Sequence, residues 1–215
     1  MVVKQRARQL ASTARQTLPE GTTSVGAGLA VAALTSYVFV VVSLNSLVGG
    51  AAAAFSAFWA VIFVAGPGFF LPLEQEVGRA VAHRRAQGLG GGPLVHRAAR
   101  LGGLITLVLI VASLASTPLL NDRLYHGDML FVPAIVVGLI GFYVVHLTRG
   151  VLAGQGRFRA YGELLAAEGI LRLVGALVLA GVGVDRAGAY AMVLAVAPFF
   201  AAAFALRRQR GMLQP

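Results

Sequence analysis

The chain has 215 residues, 58% hydrophobic and only 12% charged, with a mean hydropathy of +0.80 and a formal net charge of +10. A soluble domain carries roughly 25% charged residues, so a water-soluble fold would have to expose aggregating apolar surface, and the bilayer is the natural solvent. The absence of cysteine excludes disulfides and thiol or cysteine–metal chemistry.

The first stretch, "MVVKQRARQLASTARQTLPEG", is basic and mixed before any apolar run begins. It reads as a cytoplasmic arm, residues 1–22, possible as an interfacial helix, and not as a cleavable signal peptide. Six apolar stretches follow, near 24–45, 50–71, 99–119, 129–148, 163–184 and 187–206. Each approaches the roughly 20 residues that a helix needs to cross a hydrocarbon core of about 30 Å. The predicted fold class is all-α: a polytopic membrane protein, a six-transmembrane-helix bundle over 23–206, followed by a basic tail or linker at 207–215.

The first stretch carries Thr35, Ser36, Tyr37, Ser43 and Asn45, which would line a path or cross-link helices; Asn45 is a cavity candidate. Small residues spaced four apart, Gly28 with Ala32 and Ala191 with Ala195, would allow close helix contacts. In the second stretch Gly66, Pro67 and Gly68 are hinge candidates, either a gating point or a fixed bend. Pro133 and Pro198 enter the fourth and sixth stretches, where a fixed bend that helps packing is the simpler reading. "LPLEQEVGRAVAHRRAQG", residues 71–88, places Leu73, Val77, Ala80 and Val81 at helical spacing and so continues the second helix toward the cytoplasm. Its Glu74, Glu76 and Arg79 would line a cavity entrance or form a solvated face. Trp59, Tyr143 and Tyr161 read as packing or interfacial anchors, and His146 as an interfacial residue.

Fifteen of the eighteen Lys and Arg residues fall before the first stretch, on alternate connections, and after the last; Arg149 is counted with the connection between the fourth and fifth. The opposite connections hold only Arg123 and Arg186. The positive-inside rule then places both termini and the basic connections in the cytoplasm, with the cell's inner (plasma) membrane as the expected location. Basic residues distributed this way mark orientation and grip lipid head groups, and no nucleic-acid partner is expected.

The connection "GQGRFR" lacks both the third glycine of a dinucleotide loop and the Gly-Lys-Ser/Thr ending of a phosphate loop. It reads as a cytoplasmic turn, with Gly154 and Gly156 giving backbone freedom and Arg157 and Arg159 facing phosphates. Beyond it Glu168 and Arg172 lie inside an apolar stretch, four residues apart on one helical face. With a helix start near Gly162, they sit about 9 and 15 Å in. An arginine at that depth costs on the order of 3 kcal/mol, so the pair faces the protein interior or a wet cavity. It is either a polar site in a transport path or an internal ion pair that orients the helix; Glu163 is nearer the interface and solvated. No histidine pair has metal-ligand spacing and no hydrolase or zinc-peptidase motif occurs, so neither metal nor cofactor is expected and an enzyme is disfavoured.

The run "RGVLAGQGRFRAYGELLAAEGILRLVGALVLAGVG" resembles polysaccharide and lipid-linked-oligosaccharide flippases of the multidrug/oligosaccharidyl-lipid/polysaccharide exporter superfamily. The resemblance rests on Gly150, Gly154, Gly156, Phe158, Tyr161, Glu168 and Arg172, and on "GPGFFLPLEQEVGRAVAHRRAQG", which is similar to that family's second helix and following loop. It extends from about residue 24 to 210 and implies one six-helix lobe of a protein whose members have two. It further implies alternating access around a midplane cavity, with Arg172 holding an acidic part of a polyprenyl-linked sugar. The implied partners are the bilayer, the lipid-linked sugar and a second lobe, from the same gene product or from a second copy of the chain. A non-transporting membrane assembly or scaffold subunit, or a drug or cation exporter of the same fold, is the alternative.

Overall fold

The computed structural model describes residues 21–207 and Gln209. The expected cytoplasmic arm before residue 21 and most of the basic tail lie outside the described residues. Within them the fold is all-α. Seven helices follow in order: α1 (Thr22–Ser46), α2 (Gly50–Ala86), α3 (Gly92–Ala115), α4 (Thr117–Arg123), α5 (Phe131–Gly154), α6 (Phe158–Gly181) and α7 (Ala187–Leu206). All except the short α4 are long and apolar enough to cross a membrane. In hydrocarbon a helix satisfies its own backbone donors and acceptors, which is why long apolar runs adopt it there.

α2 is the longest element, with 37 residues, and runs without interruption through Gly66-Pro67-Gly68. The hinge candidates Gly66, Pro67 and Gly68 thus lie within one continuous helix, which also holds a second internal proline, Pro72. Gly66 is needed for space: a Cβ there would lie 3.0 Å from the Phe142 ring, whereas Gly68 meets nothing nearby. Pro133 lies in the first turn of α5, where a backbone N–H has no intrahelical acceptor to lose, so it causes no break either. The third apolar stretch ends earlier than expected, at Ala115, and Pro118 opens α4 directly after it.

α5 is the hub, packing against α2, α3 and α7; α1 packs along α6, and α6 against α7. α1 and α2, although consecutive, have few close backbone approaches and meet through side chains, where Phe39 packs on Phe55 and Trp59. The α1–α6 seam is close because it is lined with small residues. A Cβ on Gly28 would strike the backbone of Gly162, and one on Gly169 would strike Thr35 and Ala32. Gly150 and Gly154 play the same part between α5 and α2, meeting the carbonyls of Glu74 and Gly78. Gly154 is thus a helical packing residue, not a turn residue; the turn belongs to Gly156, whose φ of 69° disfavours any side chain.

The bundle is aromatic toward the α1–α2 connection, where Phe39, Phe55 and Trp59 cluster with Tyr190 against Phe55. Its outside is apolar. α3 presents Leu101, Leu104, Leu107, Val108 and Val111, and α6 presents Ile170, Val174, Leu177 and Val178, all exposed. A water-soluble monomer rarely carries apolar surface of this extent, so these helices meet lipid, and the protein is a multi-pass membrane protein.

Candidate functional site

Because α1 leans on α6 and α2 on α5, a gap remains between the two pairs. It forms a partly open cavity of about 440 Å³ lined by α1, α2, α5 and α6. Its wall from α1 and α2 is apolar and aromatic, with Leu29, Tyr37, Trp59 and Phe63; Pro67 also faces it. Its polar wall comes from α5 and α6: His146, Arg149, Glu168 and Arg172.

The anticipated Glu168–Arg172 pair is formed and buried, the two residues retaining 3% and 6% of their exposure. α6 begins at Phe158, earlier than expected, which puts Glu168 about 15 Å and Arg172 about 21 Å along a helix of about 36 Å. The pair is not alone. Arg149, assigned from sequence to the basic connection, lies inside α5 and donates from its Nη2 to Glu168 Oε2, while Arg172 Nη2 donates to Oε1. One carboxylate therefore serves two guanidiniums, one oxygen each. The Nε atoms of Arg149 and Arg172 are both buried without a hydrogen-bond partner.

A second carboxylate lies one step toward the basic end. Glu74 is buried on α2; its Oε2 accepts from His146 Nδ1 at 2.6 Å and its Oε1 from the Tyr161 hydroxyl at 2.7 Å. The carboxylate can only accept, which fixes the proton of that imidazole on Nδ1. Glu74 and Tyr161 also line a neighbouring cavity of about 350 Å³ between the same helices. The Tyr161–Glu74–His146 chain thus stands between the two cavities, with His146 on the deeper one.

The Glu74, Glu76 and Arg79 group is split by the helix. Glu76 and Arg79 are exposed and bind each other at 2.6 Å, Glu74 turns inward, and Arg79 lines with Glu74 the cavity between these helices. Asn45 is not a cavity residue. It is exposed near the end of α1, and its amide donates to the carbonyl of Val41 at 2.8 Å, as polar side chains on apolar helices commonly do. Arg157 binds Gln209 at 2.6 Å, and Arg159 pairs with Glu163 on an exposed helix face. Sequence reasoning passed over His146, Arg149 and Tyr161 as site residues. The available signal was helical spacing: His146 and Arg149 stand three apart in a run otherwise suited to lipid, so they share a face.

At the opposite end of the bundle the loop before α5 docks on the start of α7. Asp128 Oδ2 accepts from the Gly188 N–H at 2.8 Å, and Oδ1 accepts from Arg186 Nη2 at 2.9 Å and from the Leu130 N–H at 3.1 Å. Partial burial would raise this carboxyl, but the hydrogen bonds from Arg186 and the two backbone amides outweigh it and hold the group below its ordinary range. Nearby, burial pushes the Tyr125 phenol up. Among the described residues no cluster of His, Asp and Glu suits a metal ion.

Comparison with known proteins yields relatives without an assigned role. The chain is 30% identical over 165 residues to Uncharacterized protein Rv1510 of Mycobacterium tuberculosis, a match covering 76% of this chain and 38% of that protein. It is 29% identical over 156 residues to Uncharacterized protein Mb3654 of Mycobacterium bovis, covering 70% of this chain and 35% of the relative. The chain therefore spans well under half the length of the curated relatives it matches. No protein-family model and no solved structure matches it.

Proposed function

We propose that this chain is one lobe of a membrane flippase that moves a polyprenyl-linked sugar or polysaccharide precursor between leaflets by alternating access. The observation that carries the reading is the pairing of two guanidiniums, Arg172 buried and Arg149 half-buried, with a single carboxylate on the wall of a cavity deep in an apolar bundle. Ionisable groups are expensive at such depth, and they are retained where they handle a polar cargo or an ion. An excess of positive charge suits an anionic cargo; a cation exporter would want the reverse.

The apolar and aromatic wall offered by α1 and α2 suits a ligand with a greasy part beside a charged one. The cavity is partly open and bordered by α1 and α2, which suits a lipid tail that stays in the bilayer. The match to proteins more than twice as long as the shared stretch leaves room for a second lobe of similar size. In this reading the helix ends that flank connections 87–91 and 155–157, with Arg84, Arg85, Arg97, Arg100, Arg157 and Arg159, and both chain ends face the cytoplasm of a cell bounded by its inner membrane.

The test is flipping of a fluorescent polyprenyl-diphosphate sugar in proteoliposomes that contain the chain with its second lobe, supplied by the longer product or by a second copy. Arg172→Gln should lower the rate at least tenfold while insertion and folding persist, since Arg149 still neutralises Glu168. A normal rate in correctly inserted variant protein would remove Arg172 from the cargo site. Wild-type protein without any flipping, stably bound to other membrane proteins, would instead favour an assembly subunit.

A further inference from the structure

We propose that Glu168 is a tethered stand-in for the ligand: a diphosphate displaces its carboxylate from Arg149 and Arg172, and the displaced carboxylate takes up one proton from cavity water. The inference rests on reading the cavity as an anion site. It adds that occupancy is coupled to protonation of one named acid.

Three observations lead there. The carboxylate of Glu168 divides its two oxygens between the two arginines, the contact pattern of a bridging oxyanion. Both guanidiniums keep a buried Nε donor unsatisfied. The carboxylate meets one Nη2 of each fork and leaves both Nε donors unreached, whereas a diphosphate, with more oxygens over a longer span, can reach them all. Finally, the charges balance. Two arginines and one ionised acid leave one positive charge on this wall, and neutralising Glu168 leaves two, the complement of a doubly charged diphosphate diester.

The other groups around the acid are compatible. α5 brings His146 with Arg149, α6 brings Tyr161 one turn and more before Glu168, and α1 brings Tyr37 to the cavity rim. Glu74 of α2 is occupied by His146 and Tyr161 and does not line this cavity. α7 contributes no lining residue to it. Glu168 is therefore the only acid on the wall of this cavity among the described residues.

The experiment measures binding of inorganic pyrophosphate and of farnesyl diphosphate to the full chain in nanodiscs, by calorimetry from about pH 5 to 8. Wild-type affinity should tighten as pH falls by up to about tenfold per unit, the limit for one linked proton. Glu168→Gln should bind about tenfold or more tightly than wild type near pH 7.5, and its pH dependence should shrink to that of the ligand's own titration. Should that variant fail to fold, Glu168→Asp keeps the charge but is one methylene too short to bridge both arginines. It should then bind more tightly than wild type and keep the pH slope. Arg149→Gln and Arg172→Gln should each weaken binding about tenfold or more. If they weaken binding while neither Glu168 variant binds better than wild type, the stand-in role is wrong and the anion cavity survives. If neither arginine variant changes binding, the anion cavity itself is wrong. Binding of the farnesyl compound but not of pyrophosphate assigns a lipid-borne ligand, and equal binding assigns a free diphosphate; both agree with displacement of Glu168.

Discussion

Two carboxylate–arginine sites in this molecule use the same chemistry for different ends. Asp128, at the connection before α5, divides its oxygens among one arginine and two backbone amides, with the arginine largely in solvent. It closes the start of α7 and ties two connections together. Glu168, in the middle of α6, is held by side chains alone, two guanidiniums from two helices, away from bulk water and against a cavity. An acid bound to backbone amides fixes the fold. An acid bound only to side-chain cations, with a charge left over, can be exchanged for something else. The contrast teaches that partner type and charge balance, more than the presence of an ion pair, mark a site that handles ligand.

The largest expected difference between the two lies in stability. Glu168→Ala leaves the buried Arg172 and the half-buried Arg149 with no counter-charge and should cost about 3–5 kcal/mol, read as a drop in detergent or bilayer unfolding midpoint. Arg172→Ala should cost clearly less, because Arg149 remains on the acid. Equal losses for the two variants would erase the shared-acid geometry.

A smaller effect is expected at the other end. Asp128→Ala removes the carboxylate that accepts the free Gly188 N–H in the first turn of α7 and should cost about 1–2 kcal/mol. Its pH dependence has a definite sign. The folded protein holds the Asp128 carboxyl below its ordinary value of 3.8, so its contribution is complete above that value and is lost as pH falls through the lower folded value. Wild type should therefore lose its advantage over Asp128→Ala only in strong acid, below about pH 4. An advantage already gone near pH 6 would contradict the hydrogen bonds described. The smallest effect belongs to the solvated Glu76–Arg79 pair: Glu76→Ala should leave the unfolding midpoint unchanged within measurement.

Parts of the site were legible in the sequence for a definable reason. Glu168 and Arg172 are four apart, and helical geometry alone puts them on one face. Leu73, Val77 and Val81 were legible as a buried stripe in the same way. Glu74, three residues before Val77, lies on that stripe too; its charge invited a solvated reading, and only the facing His146 and Tyr161 make its burial tolerable. Arg149 was misread because charge near the end of an apolar run looks like a topological marker. At Gly66-Pro67-Gly68 the helix continues, because a proline in a membrane helix is tolerated when neighbours pack around it, as the Phe142 ring does beside Gly66.

The sequence by itself determined the solvent, the number of long apolar helices and the existence of an acid and a base on one face of α6. These follow from composition and from a repeat of 3.6 residues, both local properties. Only the tertiary structure decided that Arg149 completes a triad, that Glu74 turns inward, and that α1, α2, α5 and α6 leave a cavity among them. Those outcomes depend on which helices the glycines of α1, α5 and α6 allow to approach, and contacts between residues 19 to 87 positions apart are set by packing, which no local period encodes.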